Sequence, residues 1–361
     1  MKHFFVFFVG TLLFSLAHAQ NTFTISGTVI NEVTGAPMPA ASVFAQNTTL
    51  GTATDADGNF KLQLPAGGYD LIITYTGYRT ESRRISAADA GEKINIQLRE
   101  KEKELETVAI VSTNEVADGL AKYGAFFNEA FIGKTANSSF TSIQNPEVLH
   151  FFFSRKKNRL KITATEPLII KNNALGYNIK YTLDSFTHEY NTEVSTYTGY
   201  PLFEEMQGDS MQKQQWAAER RKAYNGSLLH FMRSIYYKEL KAQKFEIQFL
   251  VKINDKDNAV KIKDPYSALN YEKDDSTQTV QILPNQKEVG VLYSGSKPAD
   301  AYLRNNPGEP GQLRFSLLSF VPNETIKIEQ NGYFYDQNDI SISGYWTWEK
   351  VADQLPYDYV Q

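Results

Sequence analysis

The stretch WAAERRKAYNGSLLHFMRS (216–234) holds the densest set of side chains able to do chemistry. Read as a helix at about 100° per residue, it places Trp216, Arg220, Ala223, Tyr224, Ser227, Phe231 and Ser234 on one face, with His230 on the flank. An arginine inside an apolar stripe needs an anion or a carbonyl, because an unpaired buried charge is costly. Arg220, Tyr224, Ser227 and His230 are therefore the candidate ligand-binding set, suited to an anion or a glycan. The competing expectation is a structural ion pair from Arg220 to a core carboxylate such as Glu166, Asp184 or Glu204. Ser227 and His230, with Asp184 as an orienting acid, also permit an envelope hydrolase centred on Tyr224–His230. YNGSLLH is no nucleophile elbow, however, since Gly-x-Ser-x-Gly is absent, and a triad is a geometry rather than a sequence. No residue is assigned as catalytic.

Other chemistries are excluded more directly. The acidic knot Asp55-Ala56-Asp57-Gly58 invites calcium, but neither register supplies an EF-hand: with Gly58 at position 6 the last ligand would be Leu64, and with Asp55 at position 1 it would be Ala66. Asp-Gly instead suits the corner of a β-hairpin. No glycine-rich phosphate loop is present, and nothing singles out two carboxylates for glycoside hydrolysis. The net charge of -4 gives no footprint for nucleic acid, and the basic cluster SRKKNR (154–159) reads as a solvated hairpin turn. The expectation is no metal and no cofactor.

The elements that must position these residues begin after a leader. MKHFFVFFVGTLLFSLAHAQ has an early lysine, an apolar run and small residues at Ala17 and Ala19, as in a secretory signal peptide (1–19) cut near Ala19/Gln20. The chain has no cysteine, so an exported fold must rest on its core alone. No later stretch is apolar for long enough to cross a membrane as a helix. The expected location is the periplasm or the outer membrane's inner face.

Residues 22–98 alternate with a period of two between Gly/Pro/Asp-rich breaks, which predicts seven short antiparallel strands in a sandwich. Gly27 and Val29, TGAPMPAASV, GTATDADGNF and LPAGGYDLIITYTGY resemble the carboxypeptidase regulatory-like domain. The resemblance implies a transthyretin-like, Ig-like sandwich over 20–98, a module common at the N-termini of exported Bacteroidetes proteins. Its usual companions include zinc carboxypeptidases and TonB-dependent receptors, so the domain by itself confers no activity. A zinc peptidase of that kind commonly carries a His-x-x-Glu pair, and none of His150, His188 or His230 is followed by one. A receptor barrel of about 22 strands needs far more chain than follows Leu120.

REKEKELE opens a linker expected over 99–119, followed by TVAIVST, a short strand similar to a segment that contacts TonB in receptors. Residues 120–361 mix a helix (VADGLAKYGAFFNEAFIG), one or two further helices over 211–241 and many alternating strands, which predicts an α+β, mostly antiparallel domain. NPEVLHFFF, EPLIIKNNALGYNIKYTLDSF and YTGYPLFEE resemble the uncharacterised C-terminal region of exported Bacteroidetes proteins, which imports no activity. The expected function is a non-catalytic envelope binding or scaffold protein. Its expected partner is a protein or glycan of the envelope, with an outer-membrane receptor as one candidate. The alternatives are the hydrolase above and a small outer-membrane barrel after residue 134.

Overall fold

The computed structural model describes residues 22–101, 114–253, 256–335 and 337–361. The expected leader with its cleavage site, and TVAIVST, lie outside the described residues.

The N-terminal part has strands β1 (Thr22–Asn31), β2 (Ser42–Ala45), β3 (Gly51–Ala53), β4 (Asn59–Pro65), β5 (Tyr69–Thr74), β6 (Glu81–Ile85) and β7 (Lys93–Leu98). They form two sheets, ordered β4-β1-β7 and β3-β2-β5-β6. Alternation is the cause: Phe23, Ile25 and Val29 of β1 face inward, as do Phe60, Leu62 and Leu64 of β4 and Ile94, Ile96 and Leu98 of β7. One pairing departs from the antiparallel expectation. Strands β6 and β7 lie in different sheets, so their connection crosses the sandwich and β7 joins β1 in parallel.

The acidic knot is a turn, but not of a hairpin, because β3 and β4 also belong to different sheets. Asp55 Oδ1 accepts the backbone N–H of Asp57 (3.0 Å) and of Asn59 (2.8 Å), which holds its carboxyl below the usual range. Gly58 sits at φ +75°, and a Cβ there would meet the Val29 carbonyl at 2.5 Å. The linker also starts later than expected. Arg79 N–H donates to Arg99 O (2.8 Å) and Lys101 N–H to Gly77 O (2.9 Å), so the sandwich's hydrogen bonding runs to Lys101. On the far side Phe153 N–H donates to Asn114 O, and Val116 N–H to Phe151 O, both at 2.9 Å.

The next part contains helix α1 (Gly119–Phe131) and strands β8 (Thr141–Ile143), β9 (Leu149–Ser154), β10 (Arg159–Ala164), β11 (Leu168–Asn172), β12 (Tyr177–Glu189) and β13 (Val194–Glu205). SRKKNR is the β9–β10 turn, as its charge suggested. The long β12 carries β13 on one edge and shares the other between β11 and β10. A register shift between Leu183 and Ser185 bends this spine. Phe127 and Phe131 of α1 pack on it, 5.1 Å from Phe186 and 5.0 Å from Tyr181 respectively.

Helices α2 (Ser210–Tyr224) and α3 (Leu228–Tyr236) lead to β14 (Phe245–Ile253), β15 (Lys256–Lys261), β16 (Glu272–Asp274), β17 (Thr279–Ile282), β18 (Glu288–Tyr293), β19 (Arg314–Phe320), β20 (Ile326–Ile328), β21 (Phe334–Tyr335) and β22 (Ile340–Gly344). Their sheets are β15-β14-β18-β19-β22 and β16-β17-β20-β21. Beyond the linker the protein therefore builds two hydrophobic cores. One gathers α1, the β12 spine and Val351, Ala352 and Leu355; the other gathers α3, β14 and β17–β20. Among the described residues the strands after residue 134 divide over three open sheets, which contradicts a barrel built from that segment. No helix there is long and apolar enough to cross a membrane.

Candidate functional site

The single helical face expected over 216–234 is broken in the middle. After α2, Gly226 turns the chain at φ +86°, and Ser227 starts α3 as its N-cap. Its hydroxyl accepts the backbone N–H of His230 at 3.1 Å. Asp209 and Gln212 close a capping box at the start of α2. The sequence Asn-Gly-Ser encodes this stop and restart, so residues before and after it do not share one face.

The four candidate residues are consequently not one site. Arg220 lies over the Tyr177 ring (3.9 Å) and donates to Leu175 O (2.7 Å), Gly176 O (3.2 Å) and Glu205 Oε1 (2.6 Å). Its partner carboxylate is Glu205, not Glu166, Asp184 or Glu204, because the β13 terminus lies beside the 173–176 turn. Each of the three guanidinium nitrogens is hydrogen-bonded to the protein. Tyr224 is buried and packs 4.7 Å from His230.

His230 is buried and saturated. Its Nδ1 accepts the backbone N–H of Gly226 at 3.0 Å, which fixes Nδ1 as unprotonated, and Nε2 lies 3.0 Å from Gln243 Oε1 as the donor. Burial holds its pKa below the ordinary value, with Gln243 opposing. Ser227 touches the backbone of His230 rather than the ring, and Asp184 accepts from Thr198 Oγ1 at 3.0 Å on the exposed side of the β12–β13 hairpin. A nucleophile, base and orienting acid are not assembled here.

Sequence reasoning missed Arg233, three residues along the same helix. It donates to Asn331 O (2.9 Å), Tyr359 O (2.9 Å) and Tyr357 O (3.0 Å), clamping the C-terminal segment. Its partners are remote backbone atoms, so no local pattern marks them. Around it a polar cleft of about 560 Å³ runs between the sandwich, α3 and residues 357–361, with Tyr224, His230 and Tyr69 among its walls.

The sandwich is docked beside this cleft by two contacts. Its β2–β3 turn inserts Asn47–Thr49: Asn47 N–H donates to Pro201 O (2.8 Å), Phe203 N–H to Thr48 O (2.9 Å) and Tyr357 N–H to Asn47 O (2.7 Å). Thr49 N–H donates to Asp358 at 2.9 Å. On β6, Arg84 pairs with the buried Glu329 at 2.5 Å, between the rings of Tyr333 (4.7 Å) and Tyr335 (4.6 Å). Burial raises the Glu329 pKa and Arg84 opposes it. Tyr333 also donates its hydroxyl to Asp70 of β5.

A second cavity, of about 350 Å³, lies between the β12–β13 spine and the 345–355 segment. Tyr181, Tyr197, Trp346, Glu349, Lys350 and Asp353 line it, and Ser227 reaches its edge. Burial pushes the Glu349 carboxyl up to about 8, with Arg314 Nη1, 3.2 Å away, opposing and Asp353 adding. Asp353 is pushed to about 6 by burial, against hydrogen bonds from Thr135 Oγ1 and Asn137 Nδ2. Among the described residues no cluster of His, Cys, Asp and Glu is arranged to hold a metal ion.

Comparison with known proteins bears on the sandwich. Residues 25–110 match the CarboxypepD_reg-like domain family. The TonB-dependent receptor SusC of Bacteroides thetaiotaomicron is 30% identical over 107 residues, which is 30% of this chain and 10% of that protein. The TonB-dependent receptor P3 of Formosa agariphila is 26% identical over 111 residues, 31% of this chain and 11% of that protein. The chain thus spans about a tenth of the length of these curated relatives. A DUF3823 family protein of Bacteroides ovatus, of known structure, is 11% identical and aligns over 75% of this chain and 90% of its own. Its TM-score of 0.18 is too low to bear on the fold. The matched span takes in nearly all of the two sheets and both docking contacts described above: residues 25–110 of this chain are a CarboxypepD_reg-like domain.

Proposed function

We propose that this chain is a non-catalytic binding or scaffold protein of the cell envelope. Its CarboxypepD_reg-like sandwich is a docked, rigid part, and residues 120–361 are an α+β body that binds a protein or a glycan. The supporting observation is that the residues best suited to catalysis are engaged in structure: Ser227 caps a helix, and both ring nitrogens of His230 are bonded. Similarity to TonB-dependent receptors supports an envelope location and an outer-membrane receptor as partner. The mature chain starts at Gln20 and resides in the periplasm or on the outer membrane's inner face.

Two experiments test this. Fractionation is expected to find the chain in the envelope, starting at Gln20 and released from membranes by carbonate or urea; recovery only with detergent contradicts peripheral attachment. Peptide, ester and glycoside substrates are expected to show no turnover. A turnover abolished by both Ser227→Ala and His230→Ala, with the fold intact, would establish the hydrolase instead.

A further inference from the structure

The cavity under the 345–355 segment brings together several polar side chains that have no hydrogen-bond partner among the described residues. Tyr181 is 4% exposed, yet its hydroxyl makes no hydrogen bond among the described residues. The half-buried Tyr197 likewise has no hydrogen bond among the described residues, and burial of its hydroxyl raises its pKa to about 12. Both rings are fixed against Phe131, at 5.0 and 5.1 Å. The Lys350 ammonium has no ion pair or hydrogen bond among the described residues, and burial lowers its pKa. Buried polar groups of native proteins are nearly always bonded, so a convergent unbonded set marks a place for a ligand or for water that a ligand replaces.

The character of that ligand follows from the walls. Tyr181, Tyr197 and Trp346 supply ring surface, and the Trp346 indole is oriented by its N–H to Gly226 O at 2.8 Å. With the Glu349 carboxyl raised to about 8, the charges lining the cavity at neutral pH are Lys350 and Asp353, which balance, so neither an anion nor a cation is favoured overall. Both Asp353 oxygens accept from Thr135 Oγ1 and Glu349 is tied to Arg314, so neither carboxylate is free of the protein. A volume of about 350 Å³ falls at the small end of ordinary ligand pockets. Ring walls, unbonded hydroxyls and balanced charge match a molecule with apolar C–H faces and a rim of hydroxyl groups.

We propose that this cavity binds one neutral sugar ring, the end or a branch of a glycan, with Tyr181 and Tyr197 bonding its hydroxyls and Lys350 donating to a ring substituent. This rests on the binding reading above and names its ligand. Lys350 and the two tyrosines are binding residues, with no bond made or broken.

The test uses the chain from Gln20 onward, titrated calorimetrically with methyl glycosides of glucose, galactose, mannose and N-acetylglucosamine. Saturable binding of at least one, with Kd on the order of 1 mM or tighter, is expected. Tyr181→Phe with Tyr197→Phe should weaken it at least tenfold, with an unchanged unfolding transition. Should that pair disturb folding, Lys350→Met, nearer the surface, is expected to weaken binding several-fold. No saturable binding across the panel overturns the proposal, as does binding that survives these variants or a glucuronide preferred over its neutral parent. Hydrolysis of nitrophenyl glycosides, dependent on Glu349, would overturn the non-catalytic reading while leaving the sugar site standing.

Discussion

The start of α3 separates two neighbourhoods that both combine tyrosines with ionisable side chains. On one side His230, Tyr224 and Arg233 face the polar cleft; on the other Tyr181, Tyr197, Lys350 and Glu349 surround the smaller cavity. In the first, both His230 nitrogens and all three Arg233 nitrogens are hydrogen-bonded. In the second, two tyrosine hydroxyls and an ammonium have no partner among the described residues. Residue type and spacing pointed to the first; the second is legible only once the partners can be counted. A reactive-looking cluster whose atoms are already bonded holds structure together, and a plain one with unbonded atoms can accept a ligand.

That contrast can be broken at several points. The largest effect is expected at Arg233, which holds three carbonyls of remote segments. Arg233→Met should cost about 4 kcal/mol in urea unfolding and expose residues 357–361 to protease, since hydrogen bonds to charged groups contribute about 1.5–3 kcal/mol each and are not additive. A loss below about 1 kcal/mol would mean the cleft is not a structural clamp.

The two sides should also respond to pH with opposite signs. Glu349 is raised to about 8 in the folded state, so its contribution is full below its ordinary 4.5 and is lost as pH rises through about 8. Stability should therefore fall as pH rises across that window, and Glu349→Gln should remove the fall. His230 is lowered below 6.5, so the unfolded chain takes up its proton first. Its contribution is full above 6.5 and is lost as pH falls from there through the lowered folded-state pKa, and His230→Gln should flatten this acid-side slope. Slopes of the same sign at both residues would contradict the assignment of environments.

Arg220→Met should cost about 2 kcal/mol, less than Arg233, because its carboxylate partner Glu205 is 62% exposed and is not left stranded in the core. A stabilised apo protein would instead revive a ligand for Arg220. Ser227→Ala should cost about 1 kcal/mol as a lost N-cap. Smallest of all, millimolar calcium should leave the Tm unchanged, because Asp55 already accepts from Asp57 and Asn59. A saturable rise lost in Asp57→Ala would contradict the turn.

The sandwich was readable because its information is local: alternation in β1, β4 and β7, with Asp-Gly and Gly-Gly at turns, fixes strands without knowledge of the rest. The parallel β1–β7 pair was not readable, since strand direction depends on which sheet each connection crosses to. Asn225-Gly226-Ser227 did carry the helix break in sequence, through a turn glycine followed by an N-cap, but the continuous 100° reading ran across it. Docking was hidden for a different reason. Asn47, Thr48 and Arg233 work largely through backbone carbonyls and amides 98 or more residues away, and every sequence offers those alike. The Tyr181–Tyr197 cavity was hidden too, because on β12 and β13 these residues read as ordinary core aromatics.

The most direct test of the central claim, that this helix pair serves structure rather than catalysis, is an NMR pH titration of the His230 ring, assigned by its loss in His230→Gln. The account predicts a single Nε2–H tautomer at neutral pH, with Nδ1 unprotonated and protonation only below 6.5. A ring that titrates at or above 6.5, with both nitrogens exchanging freely with water, would be free to act as a base and would contradict it.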